Sequence, residues 1–230
     1  MRFFSVKNAI LAVCCLALIG CGDSDSNATE SKQSTYYTQL VEVMPVVSSL
    51  ESAKLKGDEN KAKEAQSKLQ TLNIDEKISQ DATAILQRAG QNGYSIILPD
   101  ELAQDIESYT IMAALPRGVY NLGLIPNAKH FEFALSPSLN DNGSEWNWEA
   151  DALSRKQDEF IALLGKDKDS KIVFYDSGEY GLSPMGSAVV GIMWAKKLGY
   201  NNIYYLVGGF NAWKDLKLPI STEAPHCCQM

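Results

Sequence analysis

The sequence predicts an α/β fold, with a central, mainly parallel sheet flanked by helices and an N-terminal helical segment before it. Two observations predict this. After Asn92-Gly93, short apolar runs alternate with stretches of helical period, as in strand–helix–strand units. Between residues 35 and 92 the period is helical only. The composition agrees: 45% of residues are hydrophobic, enough to form a packed core.

The chain opens with Arg2 and Lys7, followed by an apolar run from Ala9 to Leu18. That run is about half the roughly twenty residues a spanning helix needs, and it has the flanks of a secretory signal. It ends in Leu18-Ile19-Gly20-Cys21. This resembles the bacterial lipobox, in which the cysteine thiol accepts diacylglycerol after cleavage. The reading expected is therefore a signal peptide over 1–20 and a lipidated, palmitate-bearing Cys21 as the mature N-terminus, anchoring the protein to the membrane of the cell envelope. Gly22, rather than Asp, follows the cysteine, which points to the outer membrane facing the periplasm. Residues 21–34 are polar and without apolar period, a flexible tether.

From Tyr36, the apolar residues Leu40, Val43, Met44 and Val47 fall at helical spacing, while Lys54 to Leu72 is rich in good helix formers. Two or three helices are expected, with Pro45 kinking or dividing the first. The α/β domain follows over 93–222. Strands are expected at Tyr94–Leu98, Tyr109–Ala113, Lys171–Tyr175 and Ile203–Leu206. Helices are expected at Pro99–Glu107, near Val119–Leu122, over Ala150–Leu164, from Ser183-Pro184 to Leu198, and at Phe210–Lys214. Ser183 is placed to cap its helix, Pro184 to open it and Gly199 to end it. Residues 223–230 form a tail.

The formal charge of −7 comes without a basic block, which argues against nucleic-acid binding. Of five cysteines, Cys14 and Cys15 leave with the signal and Cys21 takes lipid, so only the adjacent Cys227 and Cys228 remain. No disulfide framework can be built from them. His226 beside them gives three consecutive donors, poor geometry for a metal, and no metal or cofactor is expected. The tail is long enough to bring a thiol to a distant loop. An alternative is a vicinal or intermolecular disulfide in an oxidising compartment.

Four motifs in order carry a family resemblance. Gly123-Leu124-Ile125-Pro126-Asn127-Ala128, preceded by Tyr120, resembles the G-H-I-P-G-A turn of rhodanese-like domains and the tyrosine before it. Lys171-Ile172-Val173-Phe174-Tyr175 resembles the strand that delivers the rhodanese active-site loop. Gly199-Tyr200-Asn201-Asn202-Ile203 and Gly208-Gly209-Phe210-Asn211-Ala212-Trp213-Lys214 are similar to the family's closing motifs. The resemblance implies a rhodanese fold over roughly Tyr94 to Thr222 and a sulfurtransferase ancestry.

It also locates a substitution. Rhodaneses carry sulfane sulfur on a cysteine at the head of the loop after that strand, because a thiolate is soft and nucleophilic. Here that position is Asp176, a hard carboxylate. The loop continues Ser177, Gly178, Glu179, Tyr180, Gly181, Leu182, Ser183, with no Arg or Lys. The family's acidic and arginine positions correspond to Ala113 and Leu115, and its histidine before Ile-Pro to Leu124. The expected function is a domain without sulfur transfer that acts in binding or envelope assembly, with a protein or a small anion as partner. A sulfurtransferase working through Cys227 or Cys228, or a changed activity at Asp176, is the alternative. Asp176 with Glu179 is also a candidate cation site or carboxylate nucleophile. Equally, Asp176 is placed to accept hydrogen bonds from loop amides near a positive helix end. His130 has no catalytic companion in the sequence. Trp146 and Trp148 are candidates to rim a cleft or to close an edge of the core.

Overall fold

The computed structural model describes residues 35–120, 123–139, 146–178 and 185–222. In chain order the elements are α1 (Tyr36–Lys56), α2 (Glu59–Thr71), α3 (Glu76–Asn92), β1 (Ser95–Ile97), α4 (Pro99–Gln104), β2 (Thr110–Ala113) and α5 (Arg117–Tyr120). They continue with β3 (Lys129–His130), α6 (Trp148–Asp151), α7 (Gln157–Leu164), β4 (Ile172–Tyr175), α8 (Ser187–Lys197), β5 (Ile203–Leu206) and α9 (Gly209–Asp215). The five strands form one parallel sheet in the order β1-β5-β4-β2-β3. The expected fold class is the observed one.

Alternation along the strands sends side chains to two cores. Ile172, Phe174, Ile203 and Tyr205 face a core shared with α1, α3, α7 and α8. Val173, Tyr175, Leu206 and Ile111 face a second core completed by Leu102 of α4 and by Phe210 and Trp213 of α9. The central strand β4 is buried along its whole length, which explains its unbroken apolar run.

The helical segment is joined to the sheet by burial. Thr35 caps α1 by accepting the Thr38 N–H, and Gly57, at φ +67°, ends it. Leu40, Val43, Met44, Val47 and Leu50 of α1 are buried, and the first four lie in the same core as Phe174 and Tyr205. Each such side chain contributes about 1.5–3 kcal/mol. Together they outweigh the ~3 kcal/mol cost of a proline in a helix interior. Pro45 therefore does not divide α1, contrary to the division the sequence allowed: it sits on the exposed side of a continuous helix whose other side is held down on both flanks.

Three further differences are local. The helical stretch expected over Ala150–Leu164 is two helices, because Leu153 and Ser154 both turn left-handed, at φ +50° and +64°. The helix expected over Pro99–Glu107 ends at Gln104 and continues as a separate 3-10 turn, Ile106–Ser108. Strand β3, two residues long, has no apolar run to announce it. The helix expected to start at Ser183-Pro184 begins later: Met185 and Gly186 are not helical, and Gly186, at φ +85°, is the residue that precedes α8, which starts at Ser187 and closes before Gly199, at φ +89°. Ser183, Pro184, the signal peptide, the tether, Cys21 and the tail lie outside the described residues. Among the described residues no helix is long and apolar enough to cross a membrane.

Candidate active-site loop

The chain leaves β4 at Tyr175 on the carboxyl edge of the sheet, where parallel α/β folds form their clefts. Tyr175 is fully buried, and its hydroxyl accepts the Ile125 N–H at 3.2 Å, so the Ile125-Pro126 turn is pinned to the end of the strand. Burial holds the Tyr175 phenol well above its ordinary titration range.

Asp176 comes next and is 1% exposed. Its Oδ1 accepts the Gly178 N–H at 2.9 Å and its Oδ2 accepts the Ala188 N–H, in the first turn of α8, at 3.2 Å. Both carboxyl oxygens thus accept backbone N–H groups, one of them at the N-terminal end of the eleven-residue helix α8. Ser187, also buried, ties that end of α8 to the sheet through a 2.6 Å bond from its hydroxyl to the Ala114 carbonyl.

The backbone of the loop is gripped from below. Phe210 N–H donates to the Asp176 carbonyl at 2.8 Å, and Asn211 N–H to that of Ser177 at 3.1 Å. Gly178 lies at φ +95°, and a Cβ there would overlap the Gly208 carbonyl; a Cβ on Gly209 would overlap the Asp176 carbonyl. This backbone-on-backbone approach is what the glycines at 178, 208 and 209 permit.

Of the loop residues singled out from sequence, Asp176, Ser177 and Gly178 are thus placed together. Glu179, Tyr180, Gly181, Leu182 and Ser183 lie outside the described residues, as do His226, Cys227 and Cys228. His130 is buried, its Nε2 2.6 Å from the Leu115 carbonyl. Trp148 stacks among Phe131, Phe133, Phe160 and Trp194, and Trp146 lies edge-on to Trp194. Both therefore close the core edge. Among the described residues no group of three His, Cys, Asp or Glu side chains is arranged to hold a metal ion.

Several residues around the loop were not visible as site residues in the sequence. Tyr205 is buried on the α1–α3 side of the sheet, and among the described residues its hydroxyl has no hydrogen-bond partner. Burial first, then the Asp176 charge, holds its phenol well above its usual range. Tyr94, whose phenol is pushed up to about 12 chiefly by burial, feels the Arg88 cation and the Asp176 anion with opposite sign. Arg88 belongs to α3, so the helical segment contributes charge to this end of the sheet. Asp151, fully buried, receives the Trp194 indole N–H at 2.9 Å and the Ser138 N–H, fixing the connection before α6 to α8.

A five-stranded parallel sheet with this loop between its central strand and a buried helix defines a layered α/β domain. The Rhodanese-like domain pattern matches residues 98–216, and the chain belongs to that family. Its curated relatives include the Caenorhabditis elegans protein named "Putative thiosulfate sulfurtransferase mpst-1", 28% identical over 107 residues, which are 46% of this chain and 31% of that protein. The chain therefore spans about a third of that relative. Similar solved structures include a rhodanese-related protein of Thermoplasma volcanium, with 18% identity, a TM-score of 0.39, and coverage of 56% of this chain and all of that one. Another is the 3-mercaptopyruvate sulfotransferase of Escherichia coli, with 21% identity, a TM-score of 0.39, and coverage of 57% and 51%.

Proposed function

We propose that this is a lipid-anchored rhodanese-like domain that has given up sulfur transfer and works by binding, in the assembly or maintenance of the cell envelope. The observation that carries the reading is the state of Asp176. A carboxylate stands at the head of the loop after β4, where sulfur relay needs a thiolate, and both its oxygens are already engaged by the Gly178 and Ala188 amides. In this reading the amides that would stabilise a transferred, negatively charged sulfur serve the protein's own side chain. The partner is a protein or a small anion meeting the carboxyl edge of the sheet. The anchor is the lipid on Cys21, palmitate included, and the location is the outer membrane facing the periplasm.

The test is sulfur transfer from thiosulfate to cyanide by the purified full chain, with intact-mass measurement for a persulfide. The expected result is no turnover and no added sulfur. Turnover that disappears in the Cys227→Ser, Cys228→Ser double variant would instead assign a sulfurtransferase working through the tail. For the anchor, labelled palmitate is expected on the wild type and not on Cys21→Ser; equal labelling of both would refute it.

A further inference from the structure

The first turn of α1 docks on one side of α9. Thr35 Oγ1 donates to Asp215 Oδ2 at 2.7 Å, and one helical turn away Asn211 Nδ2 donates to the Tyr37 hydroxyl at 3.0 Å. The Tyr37 ring also lies beside Gly208. Asn211 thus works in two directions. Its side chain holds Tyr37, while its backbone N–H holds the Ser177 carbonyl in the loop. Its neighbour Phe210 holds the Asp176 carbonyl in the same way. Two hydrogen bonds connect α1, which lies outside residues 98–216 that match the family, to the loop after β4.

We infer that Tyr37 is a positioning residue for the candidate site, acting through Asn211 to fix where α9 holds the Asp176–Gly178 backbone. The helical segment is then part of the functional apparatus. The physical reason is the fit at the glycines. Backbone contacts at Gly178, Gly208 and Gly209 leave no side chain to absorb a shift of α9, so a small displacement of that helix is passed to the loop undiminished. The inference rests on reading this loop as the functional site, but its test does not depend on any activity.

Amide hydrogen exchange of the full chain reads it directly. Tyr37→Phe keeps the ring beside Gly208 and removes only the hydroxyl. It is expected to speed exchange of the Gly178 and Ala188 amides about 5-fold, the size of one ordinary side-chain hydrogen bond, and to leave Val173 and Phe174 of β4 unchanged. Asn211→Ala should give the same pattern, and the double variant no more than either single one, because both break one link. A second readout uses Asp176→Cys as background. The pH dependence of thiol alkylation should shift upward when Tyr37→Phe is added, since misplaced amides stabilise a thiolate less. Unchanged exchange at Gly178 and Ala188, a uniform rise across β4 as well, or additive effects of the two variants would each overturn the inference. Sulfur transfer by the wild type would overturn the proposed function and leave this link standing.

Discussion

Asp176→Ala removes one acceptor group and strands two donors. Each N–H bond to a charged acceptor contributes about 1.5–3 kcal/mol, and the variant loses both the 2.9 Å bond from Gly178 and the 3.2 Å bond from Ala188. Releasing a carboxylate that is 1% exposed returns part of that as recovered hydration. The net loss expected is about 2–4 kcal/mol. For a domain of this size each kcal/mol lowers Tm by ~2–4 °C, so the melting temperature should fall by on the order of 10 °C. Asp176→Asn should recover little, because its NH2 group faces an N–H donor where the carboxylate offered an acceptor. Urea and thermal unfolding measure the loss, and formate supplies the control. A small carboxylate that fills the vacated position at about ten times its dissociation constant restores ~1.4 kcal/mol, and chloride at equal ionic strength should not. Unfolding of Asp176→Ala within about 0.5 kcal/mol of the wild type would refute the reasoning, whatever formate does.

Gly178→Ala should be worse than any side-chain deletion in the loop, because it combines an unfavourable φ of +95° with overlap on the Gly208 carbonyl; loss of the cooperative melt, or a drop of several degrees in Tm, checks it. Alkaline titration should unfold the protein above about pH 10, the ordinary tyrosine value. Tyr94, held at about 12, and Tyr205, held well above its usual range by burial, keep their protons in the fold and lose them in the unfolded chain, so stability is full below that pH and falls as pH rises towards the folded values. Tyrosinate absorbance should therefore rise together with loss of near-ultraviolet circular dichroism; a rise that precedes unfolding refutes the assignment.

Much of the frame was legible because its signals are local. Ile172–Tyr175 reads as a buried strand from four consecutive apolar residues, and Gly199 and Gly208 mark turns that the backbone takes at positive φ. What was hidden depends on where faces go. The spacing of Leu40, Val43, Met44 and Val47 predicts an apolar stripe but not the sheet beneath it. The Leu153–Ser154 break arises from two non-glycine residues in the left-handed region, which composition does not foretell. At the site, motif order located Asp176. The meeting of Tyr37 with Asn211 joins residues 174 positions apart and has no sequence signature. Nor has Tyr205, which reads as an ordinary strand aromatic until its hydroxyl is found buried.

The contact between Gly178 and the Gly208-Gly209 turn separates the shape of the loop from its chemistry. The close approach there is main chain against main chain, so the mould that receives residue 176 is set by backbone more than by the side chain it holds. On the proposed function, a lineage exchanges sulfur for oxygen at that position and still inherits the mould unaltered. Changing the seam itself would ruin both kinds of tenant at once.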